Sequence, residues 1–453
     1  MSFVGRRARP NSLRNGQTCV PSRQSLSQPD SSLVDLGSDS AWVRSGGFLL
    51  LVTYLTLLAG RYSLSRLSED LPNFDVRYPL LAILAVLVTF WATACPAPAR
   101  SYPQSWPLWP WVGWLALSSV WAPAGAAVTQ QLANLASMLA LVSLAAVLAS
   151  RLPASALDRL WPLIIIIALV YLVLAVMNGP DAQQRYAVPG GGANVFVRVQ
   201  ALGALAALTQ SRLTGRGRFL LLVPLFAFGI ILSGSRGGLV AALAVLLLSL
   251  ATARRYIPLG RIAAASVVGV ALAALFASSL LAQVWDAIYN RFYQQTLVQG
   301  YTSQRDVLFE EAWLMFKSAP VGGVGLGGFA VLQTETEQSY THNLLLATAA
   351  EAGVVGVVLL LVGIVSLVVG ALRAGGRSEQ VVFALLSAAY ILVAAMFSGD
   401  YFDSRFCWFY LVLAQAYATA VHAGHVRGGM GVVQGIATES RRKGRLSLGL
   451  ESR

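Results

Sequence analysis

Residues 285–343 read WDAIYNRFYQQTLVQGYTSQRDVLFEEAWLMFKSAPVGGVGLGGFAVLQTETEQSYTHN, a long polar stretch between greasy ones. The 453-residue chain is 56% hydrophobic and only 12% charged, whereas soluble domains are about 25% charged. Runs of roughly 17–25 apolar residues cross the hydrocarbon core as helices, and lipid leaves an open strand edge unsatisfied. Twelve such runs are legible, at 46–64, 77–95, 107–122, 130–150, 159–177, 193–210, 217–233, 237–252, 261–284, 342–371, 380–398 and 405–423. The expected fold is an all-α polytopic membrane protein with a long, partly helical outer loop at 285–341. That loop belongs to a membrane domain at 45–425, between tails at 1–44 and 426–453. The N-terminal tail, rich in Ser, Arg and Gln, lacks the apolar core of a secretory signal. Both tails have the composition of disordered segments.

An even number of spans puts both tails on one side. The tails and the even-numbered connections hold 23 of the 33 Lys and Arg, giving that face a surplus of basic charge. By the positive-inside rule this face and both termini are cytoplasmic. The net charge of +13 therefore needs no nucleic-acid partner. Cys19 and Cys95 fall on the cytoplasmic side, where disulfides rarely persist, and with Cys407 they make an odd set; no disulfide is expected. The Trp106–Trp111 cluster sits at a boundary where indoles favour the headgroup region and is read as an interfacial belt.

On the outer face several connections hold charges in places that lipid and helix dipoles disfavour. Asp181–Gly192 carries Arg185 and a Pro189-Gly190-Gly191-Gly192 run that enters a helix at Ala193-Asn194; the glycines permit close backbone approach to an anion or simply form a turn. Arg198, about one turn into that helix, must snorkel, pair or face a polar cavity. Ser233-Gly234-Ser235-Arg236-Gly237-Gly238 is so short a turn that Arg236 is fixed at the bundle mouth beside a helix N-terminus. A guanidinium there suits a phosphate held bidentately, although an interfacial arginine is the plainer alternative.

In the long loop, Ser303 is a candidate N-cap with Asp306 as its partner, which places Arg305 in the first turn, where the dipole disfavours a cation unless an anion is nearby. The opening Trp285, Asp286, Tyr289, Arg291, Phe292 and Tyr293 suit an interfacial helix. Val321–Phe329 is not a dinucleotide fingerprint, since no strand-turn-helix unit surrounds it. His342-Asn343 opens the next apolar run, and His342 is the only histidine on the outer face, His422 and His425 lying at the cytoplasmic end. Helix dipole and arginines there oppose an imidazolium, so a neutral imidazole able to accept a proton is expected, as a general base requires; a capping histidine is the alternative. Glu351, with Gly353 and Gly356, suggests close helix packing around a buried acid that pairs with Arg198 or supports the site. Asp400 and Asp403 of the last outer loop could orient His342 or anchor an arginine.

These residues resemble a known family. Ser233–Gly238 looks like the S-x-S-R-G element of bacterial O-antigen ligases and of O-antigen or exopolysaccharide polymerases. Arg305, Trp313, Pro320 and Gly323-Val324-Gly325 resemble their outer-loop pattern, and His342-Asn343 with Glu351–Gly356 resembles their H-N…E-x-G-x-x-G element. The likeness covers about Arg185 to Arg405. It departs at Gly190–Asn194, where many relatives have an Asn-Pro-Asn type element. The resemblance implies a periplasm-facing, metal-independent glycosyltransferase of the bacterial inner membrane, without a cofactor. It would move a glycan from undecaprenyl diphosphate to a sugar hydroxyl on another glycan or on lipid A core, with inversion if displacement is single. In that reading His342 is the base, Arg236 and Arg305 hold the diphosphate, and Arg185, Arg198, Asn194, Asn343 and Asp400 contribute to substrate binding. The other reading of the chain is a transporter or flippase of lipid-linked sugars, whose charges would line a cavity open alternately to both sides.

Overall fold

The computed structural model describes residues 41–60, 63–66, 70, 72–94, 105–189, 191–276, 282, 285–300, 304–335, 338, 340–376 and 378–420. Residues 1–40 and 421–453, with Cys19, His422 and His425, lie outside these residues, as do Cys95, Gly190 and the expected cap Ser303, while residues 41–44 of the expected N-terminal tail are helical. Among the described residues the chain is helical, with two isolated bridges, Ser63–Asp75 and Pro180–Tyr186, and no strand.

The principal helices are α1 (Ala41–Ala59), α2 (Arg77–Ala94), α3 (Trp109–Leu117), α4 (Val128–Arg151), α5 (Leu160–Asn178), α6 (Ala193–Thr214), α7 (Leu222–Leu232), α8 (Arg236–Thr252) and α9 (Leu259–Phe276). They continue with α10 (Arg305–Ser318), α11 (Gly328–Leu332), α12 (Leu344–Gly375), α13 (Glu379–Ala394) and α14 (405–420). A wide, π-type helix, Ala287–Val298, precedes α10. Among the described residues, five helical segments are long and apolar enough to cross a membrane: α1, α2, α4, Ala154–Asn178 and α12. The apolar segments Gly217–Leu232, Arg236–Thr252, Leu259–Gly269 and Glu379–Ala394 are shorter. The chain is a multi-pass membrane protein.

Local sequence explains several ends. Ser235 caps α8 by accepting from the Gly238 N–H at 3.3 Å, and Asn343 caps α12 by accepting from Leu346 at 3.0 Å. Each satisfies one of the donors that a helix start leaves without a partner. At its far end α6 stops at Gly215, whose φ of +68° suits a residue without Cβ.

The buried centre is α14, where Trp408, Tyr410 and Tyr417 are fully enclosed. This corrects the reading of the Trp106–Trp111 cluster as an interfacial belt. Trp106 and Trp109 are exposed, but Trp111 is fully buried, its ring 5.7 Å from Trp408 and 5.9 Å from Tyr401. Around this centre α2 and the outer face of α12 present Leu80, Ile83, Val86, Phe90, Val358, Leu361 and Val365 outward.

One feature of α12 bears on the site. Gly353 sits inside it with φ +63° and ψ −166°, which no helix accommodates, so the helix is broken there. The glycine-rich segment that follows α10 closes the break. Val324 and Gly325 donate to the carbonyls of Ala350 and Glu351 at 2.8 and 3.0 Å, while Val354 and Val355 donate to those of Pro320 and Val321 at 2.8 and 3.4 Å. The Ala352 carbonyl accepts from the Trp114 indole at 2.9 Å, and Trp121 reaches Gly323 at 3.2 Å. A Cβ on Gly323 would lie 2.2 Å from the Glu351 carbonyl carbon, and one on Gly353 2.1 Å from the Val321 oxygen. The glycines are there because two backbones meet without room for side chains.

Candidate functional site

A cavity of about 590 Å³ opens where four helices begin. Arg236 is the first residue of α8 and Arg305 the first of α10; Asn194 is the second of α6, and His342 stands just before the cap of α12. All four line the cavity together with Arg185, Gln183, Ser235, Gln295 and Gln299. Each helix start contributes outward-facing N–H groups and about half a positive charge. Three guanidinium groups add to that field, and among the described residues the lining includes no carboxylate. Such a place is arranged for an anion.

The mutual repulsion is visible in the proton affinities. Burial, followed by the proximity of Arg236 and Arg185, lowers the pKa of Arg305. Burial also lowers that of Arg185, with Asp181 opposing and Arg236 reinforcing. Guanidinium groups stay charged under all ordinary conditions, so a strained cluster of like charges remains. Burial, helped by Arg305 and Arg198 and resisted by Asp403, pushes the His342 imidazole down to about 4. The ring is therefore neutral at pH 7, and its buried Nδ1 makes no hydrogen bond in the structure. His342 adopts φ +57°, and its ring lies 4.2 Å from that of Tyr340.

Local bonds hold the lining in place. Asp181 forms the turn before Arg185, its Oδ1 accepting from the N–H groups of Gln183 at 2.8 Å and Arg185 at 2.9 Å. Tyr186 N–H then donates to Leu232 at the end of α7, at 3.2 Å. The Asn194 side-chain oxygen accepts from Ser235 Oγ at 2.9 Å and from Arg185 at 3.4 Å, joining the starts of α6 and α8.

The structure thus brings together five of the sequence-nominated residues, Arg185, Asn194, Arg236, Arg305 and His342, and leaves three outside the lining. Arg198 is buried and turned to the last loop, donating to the Ser398 carbonyl at 2.6 Å and lying 3.5 Å from Asp403. Asp403 also holds Arg405 at 3.0 Å, so it anchors two arginines. Asp400 accepts the Asp403 N–H at 3.2 Å, and Asn343 is occupied as the α12 cap. Glu351 does not pair with Arg198. Its carboxylate receives the Phe329 N–H at 3.2 Å, at the start of α11, and the Tyr401 hydroxyl at 3.0 Å. Arg305 does begin a helix, behind Gln304 in a left-handed conformation with no side-chain cap.

Sequence reasoning passed over Gln183, Gln295 and Gln299; the only signal was the Gln294-Gln295 pair in the helix, with Gln299 capping its end. It also missed Glu311, a buried acid on α10. Glu311 Oε1 accepts from the N–H groups of Thr334 at 2.7 Å and Glu335 at 2.9 Å, tying the segment that leads to His342 onto the helix that carries Arg305.

What these features define is a multi-pass helical membrane protein with a cavity lined by three arginines beside a neutral histidine. Residues 219–361, about a third of the chain, match the model of the family described as O-antigen ligase. The match contains Arg236, Arg305, His342 and the break at Gly353, while Arg185, Asn194, Arg198 and Asp400 precede or follow it. None of the curated proteins matches the chain.

Proposed function

We propose that the protein transfers a glycan from a polyprenyl diphosphate, undecaprenyl diphosphate in bacteria, to a hydroxyl of an acceptor glycan, as a polymerase or as a ligase to lipid A core. The family domain carries the coarser part, an enzyme of the O-antigen ligase and polymerase type in polysaccharide biosynthesis. The observation that carries the rest is the meeting of Arg185, Arg236 and Arg305 with a neutral His342 in one cavity.

In this reaction the acceptor oxygen forms a bond to the anomeric carbon as the bond from that carbon to the phosphate oxygen breaks. His342 takes the hydroxyl proton, and the electron pair leaves on the diphosphate. A glycosyl diphosphate linked to lipid at its other end carries two negative charges. The departing lipid diphosphate has gained a third ionisable oxygen, largely ionised at pH 7 because its pKa is about 6. Three arginines therefore match the charge of the leaving group better than that of the bound donor, as transition-state stabilisation requires. The same charge makes the chemistry workable without a metal ion, and one displacement inverts the anomeric centre.

The accompanying topology is twelve crossings with both termini in the cytoplasm and the cavity facing the periplasm, consistent with the surplus of basic residues on the opposite face. The cluster of charge at one end of the bundle favours an enzyme over a transporter or flippase of lipid-linked sugars. The test is transfer by the purified protein from a polyprenyl-diphosphate glycan. His342→Ala should lose product by about 10²–10⁴-fold, the usual worth of a general base, while still binding donor. Undiminished transfer by this variant would refute the assignment.

A further inference from the structure

The cavity has a second kind of wall. Opposite in character to the arginines, Gln183, Gln295 and Gln299 present uncharged amides to the same space. Building on the proposed function, we infer that these three glutamines form a sugar subsite that binds hydroxyl groups of the glycan residue attached to the diphosphate.

Three observations support the assignment. The first is size. At roughly 30 Å³ per water, the 590 Å³ cavity holds about twenty waters' worth of volume, and a diphosphate alone leaves much of it unfilled. The second is chemistry. An amide offers two donors and one acceptor without net charge, and a hydroxyl is both donor and acceptor, so the two pair in either sense. Among the described residues the lining holds no carboxylate, which would repel the neighbouring phosphates, and with Asn194 and Ser235 bonded to each other, the three glutamine amides are the uncharged polar groups placed to meet a sugar. The third is attachment. Gln183 and Arg185 belong to one turn, both of their N–H groups bonded to Asp181 Oδ1, with Gln184 between them at φ +57°. A contact to sugar and a contact to phosphate are thereby set at a fixed spacing. Gln295 and Gln299 approach from the π-type helix, whose i+5 bonding continues through Gln299 N–H to the Gln294 carbonyl at 2.9 Å.

A subsite of this kind selects hydroxyl-rich, neutral sugars and penalises analogues that leave the amides unpaired. The experiment compares full-length protein in nanodiscs binding two probes: bare polyprenyl diphosphate, and the same lipid bearing one neutral hexose. Because the bare lipid carries one more negative charge for the arginines, the sugar's contribution is read as the parent protein's affinity for the sugar-bearing lipid relative to that of the variants, an advantage of about tenfold. In Gln183→Ala and in the Gln295→Ala/Gln299→Ala double variant that advantage should disappear, with affinity for the bare lipid unchanged, which also certifies the fold. An unchanged advantage, or a parallel loss for both probes, would overturn the subsite. Failure of the parent protein to bind either lipid would overturn the proposed function and the subsite with it.

Discussion

Replacing Gly353 by alanine tests whether the break in α12 is as tightly closed as the geometry requires. The new methyl group would sit 2.1 Å from the Val321 oxygen, 2.3 Å from its carbon and 2.7 Å from the Gly322 nitrogen, all backbone atoms. The residue must also hold φ +63° and ψ −166°, a region essentially restricted to glycine and costing about 1–3 kcal/mol for other residues. If the segment withdraws to relieve the clash, the bonds from Val354 to Pro320 and from Val355 to Val321 are lost, at about 0.5–1.5 kcal/mol each. The sum is a destabilisation of about 2–6 kcal/mol. A matched control is Gly113→Ala, in α3 with open space at the Cβ position, where helix propensity predicts no loss and a gain of up to about 1 kcal/mol. Gly376→Ala, with φ +57° and no neighbour within 4 Å, isolates the conformational cost from the clash. Unfolding in detergent, followed by near-ultraviolet circular dichroism, should rank the variants Gly113→Ala, Gly376→Ala, Gly353→Ala in order of falling stability. Because the break also seats Glu351 against α11 and the Tyr401 loop, transfer should fall with it. A Gly353→Ala protein within about 0.5 kcal/mol of the parent, the range of unremarkable surface changes, would refute the account.

The proton affinity of His342 gives a second prediction. Its pKa is lowered to about 4 and only the neutral ring accepts a proton, so activity is retained as pH falls until this low value is approached. The acid limb of kcat/KM, which reports free enzyme, should lie near pH 4, and a limb near 6.5 would count against the assignment. Bound diphosphate favours the imidazolium, so the limb of kcat should lie higher. Arg236→Lys keeps the charge but loses the fork; at about 1.5–3 kcal/mol per charged hydrogen bond, donor affinity should fall between about tenfold and a hundredfold, and an unaltered Kd by calorimetry would remove Arg236 from the phosphate site. Glu311→Ala leaves the N–H groups of Thr334 and Glu335 without their acceptor, a loss of about 1–3 kcal/mol accompanied by slower transfer. Glu311→Gln, which keeps an acceptor oxygen, should lie between that variant and the parent in thermal midpoint, and equal midpoints for all three would show that the tie contributes nothing.

The cluster of Arg236, Arg305 and His342 was legible because each is announced locally. A polar turn too short to bend away fixes Arg236, and the position of Arg305 relative to the amphipathic run that follows places it in a first turn. Asn343 marks a helix start beside His342. Pairings across the fold were not legible. Nothing near Arg198 in sequence distinguishes Asp403 from Glu351 as its partner, because both are acids at the ends of apolar segments and the choice depends on how α6, α12 and the last loop pack. Gly353 was hidden for another reason. In Leu344–Gly375 a glycine among small residues has the pattern of close helix packing, and only the arrival of the Val321–Gly325 backbone turns it into a break. Trp111 followed its neighbours into an interfacial reading because composition does not report which side of a helix meets α14.

The break in α12 also changes what its length means. Unbroken, its 32 residues would extend about 48 Å at 1.5 Å per residue, far beyond a hydrocarbon core of about 30 Å. The portion after Gly353 is close to that thickness by itself. Its large outward-facing apolar residues, Val354, Val358, Leu361, Val362, Val365 and Leu372, all follow the break, and none precedes it. Gly353 thus acts as a depth mark. In the proposed function, the preceding turns would then form a pedestal that raises His342 out of the acyl chains to the level where a lipid headgroup and a water-borne sugar can meet.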